Sequence, residues 1–271
     1  MDKRNRSAGI ALALAAVLVT TPLLPLALWS FAGEWRFPDL LPASWSLRGW
    51  EALLAPGSRF TEAVLNSLVI AAAVTAAAVV IGLPAGMALG THDFRLKGVV
   101  IFIILLPILV PPLASTMGIH LTFIRLGLAD TMFGVFLVHL VPTVPYTAII
   151  LTSVFAERTG ELEEAARTLG AGPWQAFWHV TLPQVAPGVA VAGLFAFLIS
   201  WSQYILTVLI GGGTVITLPM LLFSAASGTD PVITSTLAVV FALPAVVALL
   251  LALRYLNPGN ERGFLGVGKV S

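Results

Sequence analysis

The sequence predicts an all-α integral membrane protein of six transmembrane helices with both termini on the cytoplasmic side, and three observations lead there. Hydrophobic residues make up 58% of the chain and charged residues 10%, with a mean hydropathy of +0.97, against about half apolar and a quarter charged in soluble domains. The charges leave long uncharged windows at 7–33, 63–92, 98–124, 131–156, 168–229 and 231–253. Basic residues also sort by side. Lys3, Arg4, Arg6, Arg95, Lys97, Arg158, Arg167, Arg254, Arg262 and Lys269 fall in segments that are cytoplasmic when the amino terminus is inside, and they outnumber Arg36, Arg48, Arg59 and Arg125 outside.

A spanning helix needs about 20 mostly apolar residues, and a central charge costs about 2.5–3.5 kcal/mol on the insertion scale. Five windows therefore hold one helix each. The window 168–229 is too long for one and is interrupted by Pro183, Pro187, Gly211, Gly212, Gly213 and Pro219, so one helix is placed near 187–210. The expected spans are 8–31, 63–90, 98–122, 132–154, 187–210 and 232–254 in a single transmembrane domain covering 1–271. The first has basic residues before an apolar run too long for a signal-peptide core of about 7–15 residues, and it is read as a retained anchor.

Segment 32–62 is the expected external loop. Trp29, Trp35, Trp45 and Trp50 suit the headgroup level, where an apolar ring carries an N–H that needs a partner. Residues 46–54 have the pattern of a short amphipathic helix lying on the membrane. In the second span Gly82, Gly86 and Gly90 put three missing side chains on one helix face, which allows close approach of another backbone in this subunit or in a neighbour. Pro107, Pro111, Pro112, Pro142 and Pro145 invite kinks in spans three and four. Kinks at membrane depth need other protein or a water-filled cavity to satisfy the freed carbonyls.

The expected cytoplasmic loop, 155–186, carries the most information. Glu161, Glu163 and Glu164 fit the first turn of a short helix and Arg167 its last turn, each favoured by the helix dipole. Gly170 suits the left-handed residue that ends it, and Gly172-Pro173 blocks continuation. A second stub, Trp174 to Val180, then reaches Leu182-Pro183 as an interfacial turn into span five. Ala165 and Ala166 beside Glu164 leave a slim surface that can seat in another protein's groove.

Glu164-Ala165-Ala166, Gly170, Val180 and Leu182-Pro183, at these spacings, resemble the EAA loop of permease subunits from binding-protein-dependent ABC importers, with Val180 where isoleucine is frequent. The resemblance extends over about 60–255, including Asn66-Ser67-Leu68 and Gly82-Leu83-Pro84-Ala85. It implies a type I ABC importer (MetI-like) permease fold in a bacterial inner membrane. It also implies that Glu163, Glu164, Ala165, Ala166, Gly170, Leu182 and Pro183 couple the subunit to a separate ATPase. Further implied partners are a second permease subunit, identical or homologous, and an external solute-binding protein, within membrane lipid. Gly211 to Pro219, followed by Gly228-Thr229-Asp230-Pro231, is similar to permeases of the spermidine/putrescine, iron and thiamine type, so a polyamine or another small solute is the expected cargo.

No ATPase or other catalytic site is read in the chain. The near-match to a phosphate loop, Gly263 to Val270, has Val270 in place of the magnesium-binding hydroxyl and ends at Ser271 without room for the required helix. ATP and magnesium are therefore expected on the partner chain, with no cofactor here. Cysteine is absent, which removes disulfide and thiolate metal sites. His92, His120, His139 and His179 show no metal-ligand spacing and suit interfacial or packed positions. A net charge of +1 suggests no nucleic-acid partner. For the solute path the best polar cluster within a span is Trp201, Ser202, Gln203 and Tyr204, which would line a cavity or hydrogen-bond between helices. The competing reading is a secondary transporter or channel driven by an ion gradient. Against it stand the absence of a carboxylate or Lys/Arg within the spans to act as a coupling site and of an obvious inverted repeat.

Overall fold

The computed structural model describes residues 21, 23–35, 39, 41–110, 112–158 and 160–255. In chain order the helices are α1 (Leu23–Ser30), α2 (Arg48–Leu54), α3 (Phe60–Thr91), α4 (Lys97–Leu109), α5 (Pro112–Arg125), α6 (Met132–Ala156), α7 (Glu161–Thr168), α8 (Pro173–Ala176), α9 (Leu182–Trp201), α10 (Ile205–Gly211), α11 (Leu218–Ala226) and α12 (Pro231–Tyr255). A π-helical turn, Phe177–Thr181, joins α8 to α9. Apart from an isolated β-bridge between Ala32 and Trp45, the described residues are helical or irregular. Four helical runs are long and apolar enough to cross a membrane: Phe60–Thr91, Met132–Ala156, Pro173–Trp201 and Pro231–Leu250. The described residues fall in two compact units, one of Glu62–Met220 and one of the residues up to Thr61 together with those from Leu221 onward.

Within Glu62–Met220, α6 is the central element. Its Val135 and Val138 pack with Ile70 and Val74 of α3 and with Leu206 and Ile210 of α10, while its Leu151 and Phe155 pack with Val185 and Ala192 of α9. The glycine stripe faces α6 of this same chain. An added Cβ would lie 2.9 Å from Thr147 Cγ2 at Gly82, 2.5 Å from Leu151 Cβ at Gly86 and 2.6 Å from Phe155 Cβ at Gly90. In lipid the hydrophobic effect does not drive helices together, so this close packing is what holds α3 to α6. Gly188 makes the same approach from α9, where a Cβ would meet the methyls of Val154 at 2.5 and 2.6 Å. Large apolar side chains on α4 point outward, with Phe102 and Ile103 each 56% exposed, and α4 buries no residue. A soluble surface rarely shows such a patch. Lipid is its natural solvent.

In the other unit, α1 and α2 both pack on α12. The amphipathic stretch expected at 46–54 folds as α2, docked on protein through Gly49, where a Cβ would stand 2.4 Å from Thr236 Oγ1 and 3.0 Å from Val232 Cγ1. The Arg48 guanidinium grips the Asp230 carboxylate with both terminal nitrogens, one at 3.1 Å. Asp230 Oδ1 also accepts from the Val232 N–H at the start of α12, 3.0 Å. The Arg48 hydrogen bonds hold this carboxyl below its ordinary value against the cost of its burial, with further help from the backbone and from the Arg48 charge.

Two expected spans differ from the helices observed, and a third lies largely outside the described residues. Of 8–31, residues 8–20 and 22 lie outside the described residues, and Leu23–Ser30 is helical. The expected span 98–122 is two helices, α4 and α5. Val110 between them is extended at φ −77° and ψ 130°, because a residue preceding a proline, here Pro111, is pushed out of the helical region. The expected span 187–210 begins earlier and stops sooner. The stub at 174–180 is continuous with it through the π turn, where the Leu182 N–H reaches back five residues to Phe177 O. The extra residue of that turn falls just before Pro183, whose ring would otherwise strike the preceding turn of helix. Leu182-Pro183 therefore lies inside a continuous helical run and not at a turn. At the other end α9 stops at Trp201, and α10 begins only at Ile205.

Candidate functional site

Both ends of α7 are set by left-handed glycines. Gly160, at φ +74°, precedes the helix, and its carbonyl accepts from Glu163 and Glu164 N–H at 3.0 and 3.1 Å. At the other end Gly170 N–H donates to Arg167 O at 3.0 Å and Ala171 N–H to Ala166 O at 3.0 Å, with Gly170 at φ +90°. This is a Schellman closure, which satisfies two of the carbonyls that a helix terminus leaves orphaned. The chain restarts at Gly172, whose N–H is bonded by the Gln175 side chain at 3.1 Å.

Glu163 fixes this peg to its stem. Its Oε2 accepts from Arg158 Nη2 at 3.0 Å and from Thr181 Oγ1 at 2.9 Å, and its Oε1 accepts from Arg167 Nη2 at 2.8 Å. Arg158 also donates through Nε to Gln184 Oε1 at 2.9 Å. One carboxylate thus joins α7 to the end of α6 and to the π turn before α9. Burial pushes the Glu163 carboxyl up, but hydrogen bonds from Arg158 and Thr181 and the charges of both arginines outweigh it and hold it below its ordinary value. Arg158, Thr181 and Gln184 were not among the residues singled out from the sequence as site candidates. Thr181 and Gln184 stand 18 and 26 residues from their partners, and only folding reveals the pairing.

The remaining loop residues divide by orientation. Glu164 and Ala165 are exposed and Ala166 is half-buried. Leu162 and Leu169 project at 62% and 90% exposure, and Trp174 and Trp178 at 73% and 55%. Leu182 packs inward on the Leu151–Phe155 cluster, whereas Pro183 is exposed. A cleft of about 270 Å³ between the end of α3 and α7 is lined by Met87, His92, Arg158, Glu163 and Glu164 among others.

The second candidate set lies at the break between α9 and α10. Trp201 is 5% exposed and stacks on Phe197 at 5.8 Å, so it faces the chain's own packing. Ser202 is exposed, with its hydroxyl donating to Ile199 O at 3.1 Å, and Gln203 and Tyr204 are half-buried. His139 of α6, expected in packing or at an interface, is buried at 2% exposure with both ring nitrogens engaged by hydroxyls. Among the described residues no group of three or more His, Cys, Asp or Glu is placed to hold a metal.

The Glu163 network has a measurable consequence. Because the folded-state value is depressed, its contribution is fully present above the ordinary glutamate value of 4.5 and is lost as pH falls through the depressed one. Amide protection across 161–171, the slowing of exchange relative to an unfolded peptide at the same pH, should be high at pH 7 and fall only below 4.5, as pH drops through the depressed value. Glu163→Gln should raise exchange at pH 7 by about tenfold, as expected for losing charge-assisted hydrogen bonds. Equal exchange in both proteins would show that the network does not hold the peg.

The family described as binding-protein-dependent transport system inner membrane component matches residues 78–262. The putrescine transport system permease protein PotI of Escherichia coli is 27% identical over 248 residues, 89% of this chain and 88% of that protein. The trehalose transport system permease protein SugB of Mycobacterium tuberculosis is 28% identical, covering 92% and 94%. The molybdenum transport system permease protein ModB of Mycobacterium bovis is 30% identical, covering 75% and 81%. Among solved structures, a chain of a bacterial ABC transporter involved in import of the acidic polysaccharide alginate superposes with a TM-score of 0.71 at 20% identity, over 94% of this chain and 99% of that one. With the helical architecture described above, these matches establish that the chain belongs to the family of binding-protein-dependent transport system inner membrane components, the permease subunits of ABC importers, and has their MetI-like fold.

Proposed function

We propose that this subunit forms the solute pathway of a bacterial inner-membrane importer and that α7 is the peg through which a separate ATPase chain moves it. The observation that carries the reading is the build of α7: a short helix ended by two left-handed glycines, tied to its stem by Glu163, with Glu164, Ala165, Leu162 and Leu169 turned outward. Loop 155–186 is cytoplasmic in this reading, loop 32–62 is external, and both termini are inside. ATP and magnesium are held by the partner ATPase subunits. A second permease subunit, identical or homologous, completes the pathway, and an external binding protein delivers the solute. When the ATPase chains close, the rigid tie from α7 through Glu163 to α6 and α9 transmits the movement to the spans.

Along the pathway the reading favours Ser202, Gln203 and Tyr204 over Trp201, which is packed inward. These are neutral hydrogen-bonding groups, so selection among charged solutes is left to the external binding protein. The cargo we favour is a polyamine or a solute of similar size. The likeness to a putrescine permease supports it, and relatives named for trehalose and molybdenum transport define the alternatives.

Purification in mild detergent, then reconstitution with the copurified chains, tests the function. Uptake is expected to require ATP, an ATPase chain and a loaded binding protein. Solute movement by this chain alone, driven by an ion gradient, would defeat the proposal and favour a secondary transporter. The ligand bound by the cognate external protein tests the cargo separately.

A further inference from the structure

A single buried side chain spans the break between α9 and α10. His139, on α6, places Nδ1 3.0 Å from Ser200 Oγ and Nε2 2.9 Å from Thr207 Oγ1. Ser200 lies in the last turn before the break and Thr207 in the first turn after it. All three side chains are buried, at 2%, 3% and 0% exposure.

The direction of these bonds follows from proton counting. Thr207 has one hydroxyl proton, and it is donated to Gln203 O at 2.8 Å. Toward the imidazole, Thr207 can therefore only accept, so Nε2 carries the ring proton. A neutral imidazole has one such proton, which leaves Nδ1 to accept from the Ser200 hydroxyl. The relay runs from Ser200 O–H to Nδ1, from Nε2–H to Thr207 Oγ1, and from Thr207 O–H to the Gln203 carbonyl. It ends on the backbone of the broken segment itself. A helix break at membrane depth must have its freed carbonyls satisfied by protein or a water-filled cavity, and here one of them is satisfied through the histidine's partner.

We propose that His139 is the positioning residue of this break: by clamping Ser200 and Thr207 it fixes the direction in which Ser202, Gln203 and Tyr204 leave the helix, and so sets how solute passes that point. This rests on the reading that 202–204 faces the pathway. His139 does not itself touch solute. Losing the clamp leaves two buried hydroxyls short of a partner, and 202–204 is then free to take other orientations.

The chain contains no cysteine, so Ser202→Cys supplies a unique thiol at an exposed position. Its rate of reaction with a membrane-impermeant maleimide is measured in the assembled importer, with and without ATP, on native, His139→Leu and His139→Gln backgrounds, with uptake followed in parallel. The native background should label at an ATP-dependent rate. His139→Leu should erase that dependence and lower the maximal uptake rate at least about tenfold, the scale expected when buried hydroxyls lose a hydrogen-bond partner, with the concentration of binding protein giving half-maximal uptake unchanged. His139→Gln, whose amide can still bond Thr207, should restore most of both, and it decides the matter if the leucine variant does not assemble. ATP-dependent labelling that persists unchanged in the leucine variant would overturn the positioning role and leave the pathway reading standing. A thiol at 202 that never labels would overturn the pathway reading, and the proposal with it.

Discussion

Gly86→Leu should abolish the folded subunit, and even Gly86→Ala should lower its thermal stability measurably. A Cβ at this position would lie 2.5 Å from Leu151 Cβ and 2.8 Å from the Leu151 carbonyl carbon. The obstacle is backbone, so no rotamer change on α6 relieves it, and the helices must separate. Overpacking of this kind costs about 1–3 kcal/mol for a small addition, and a leucine adds three more carbons to the same contact. Gly90→Ala should behave alike, since its Cβ would meet Phe155 Cβ at 2.6 Å and Thr152 O at 2.7 Å. Gly98→Ala is the control: nothing lies within 4 Å of its added carbon, and replacing a helical glycine there should be neutral or stabilise by about 0.5–1 kcal/mol. Melting temperatures from fluorescence-detected gel filtration decide it. A Gly86→Leu protein as stable as the native one would mean that α3 does not pack on α6 as described.

The second large effect is expected at Gly170. Its added Cβ would meet nothing within 4 Å, yet its φ of +90° is one that side-chain-bearing residues rarely adopt. The cost is conformational, about 1–2 kcal/mol for an ordinary residue and less for asparagine. That amounts to a 5–30-fold loss of the closed Schellman terminus. Gly170→Val should therefore lower ATP-driven uptake by about tenfold while leaving the subunit folded, whereas Gly170→Asn should keep most activity. The contrast matters because the loop sits at the surface, where a loss of global stability would not distinguish the two. Equal, full uptake in both variants would remove α7 from the coupling machinery.

What could be read before folding depended on how local the physics is. The limits of α7 were legible because its acidic first turn, terminal glycine and following Gly172-Pro173 are contiguous signals. The stripe of Gly82, Gly86 and Gly90 was legible as a packing face, but its partner was not, since a missing side chain does not say what fills the space. Pro111 and Pro112 marked trouble in the third span, and Val110 shows it to be a full break. The end of α9 at Trp201 has no proline to announce it, and the polar cluster alone did not reveal it. The tertiary ties were beyond reach for the plainest reason. Arg158 finds Gln184, and His139 finds Ser200 and Thr207, across sequence separations of 26, 61 and 68.

The continuity from α8 through the π turn into α9 also bears on the mechanism. A flexible hinge at Leu182-Pro183 would dissipate any push on the loop, whereas under the proposed coupling a continuous helical run would convey it. Thr181, buried in that turn, donates to Glu163 and so ties the run to α7.

If an ATPase encoded elsewhere grips α7, the two chains touch at the exposed Ala165. That contact is tested by a single cysteine, Ala165→Cys, in this cysteine-free chain, modified in native membranes with a short reagent that carries a maleimide at one end and a photoreactive group at the other, then irradiated. A product is expected at the combined mass of this subunit and its ATPase, with a yield that changes on adding ATP. A thiol that reacts only with impermeant reagent supplied from the external face, and never cross-links to an ATPase chain, would contradict it.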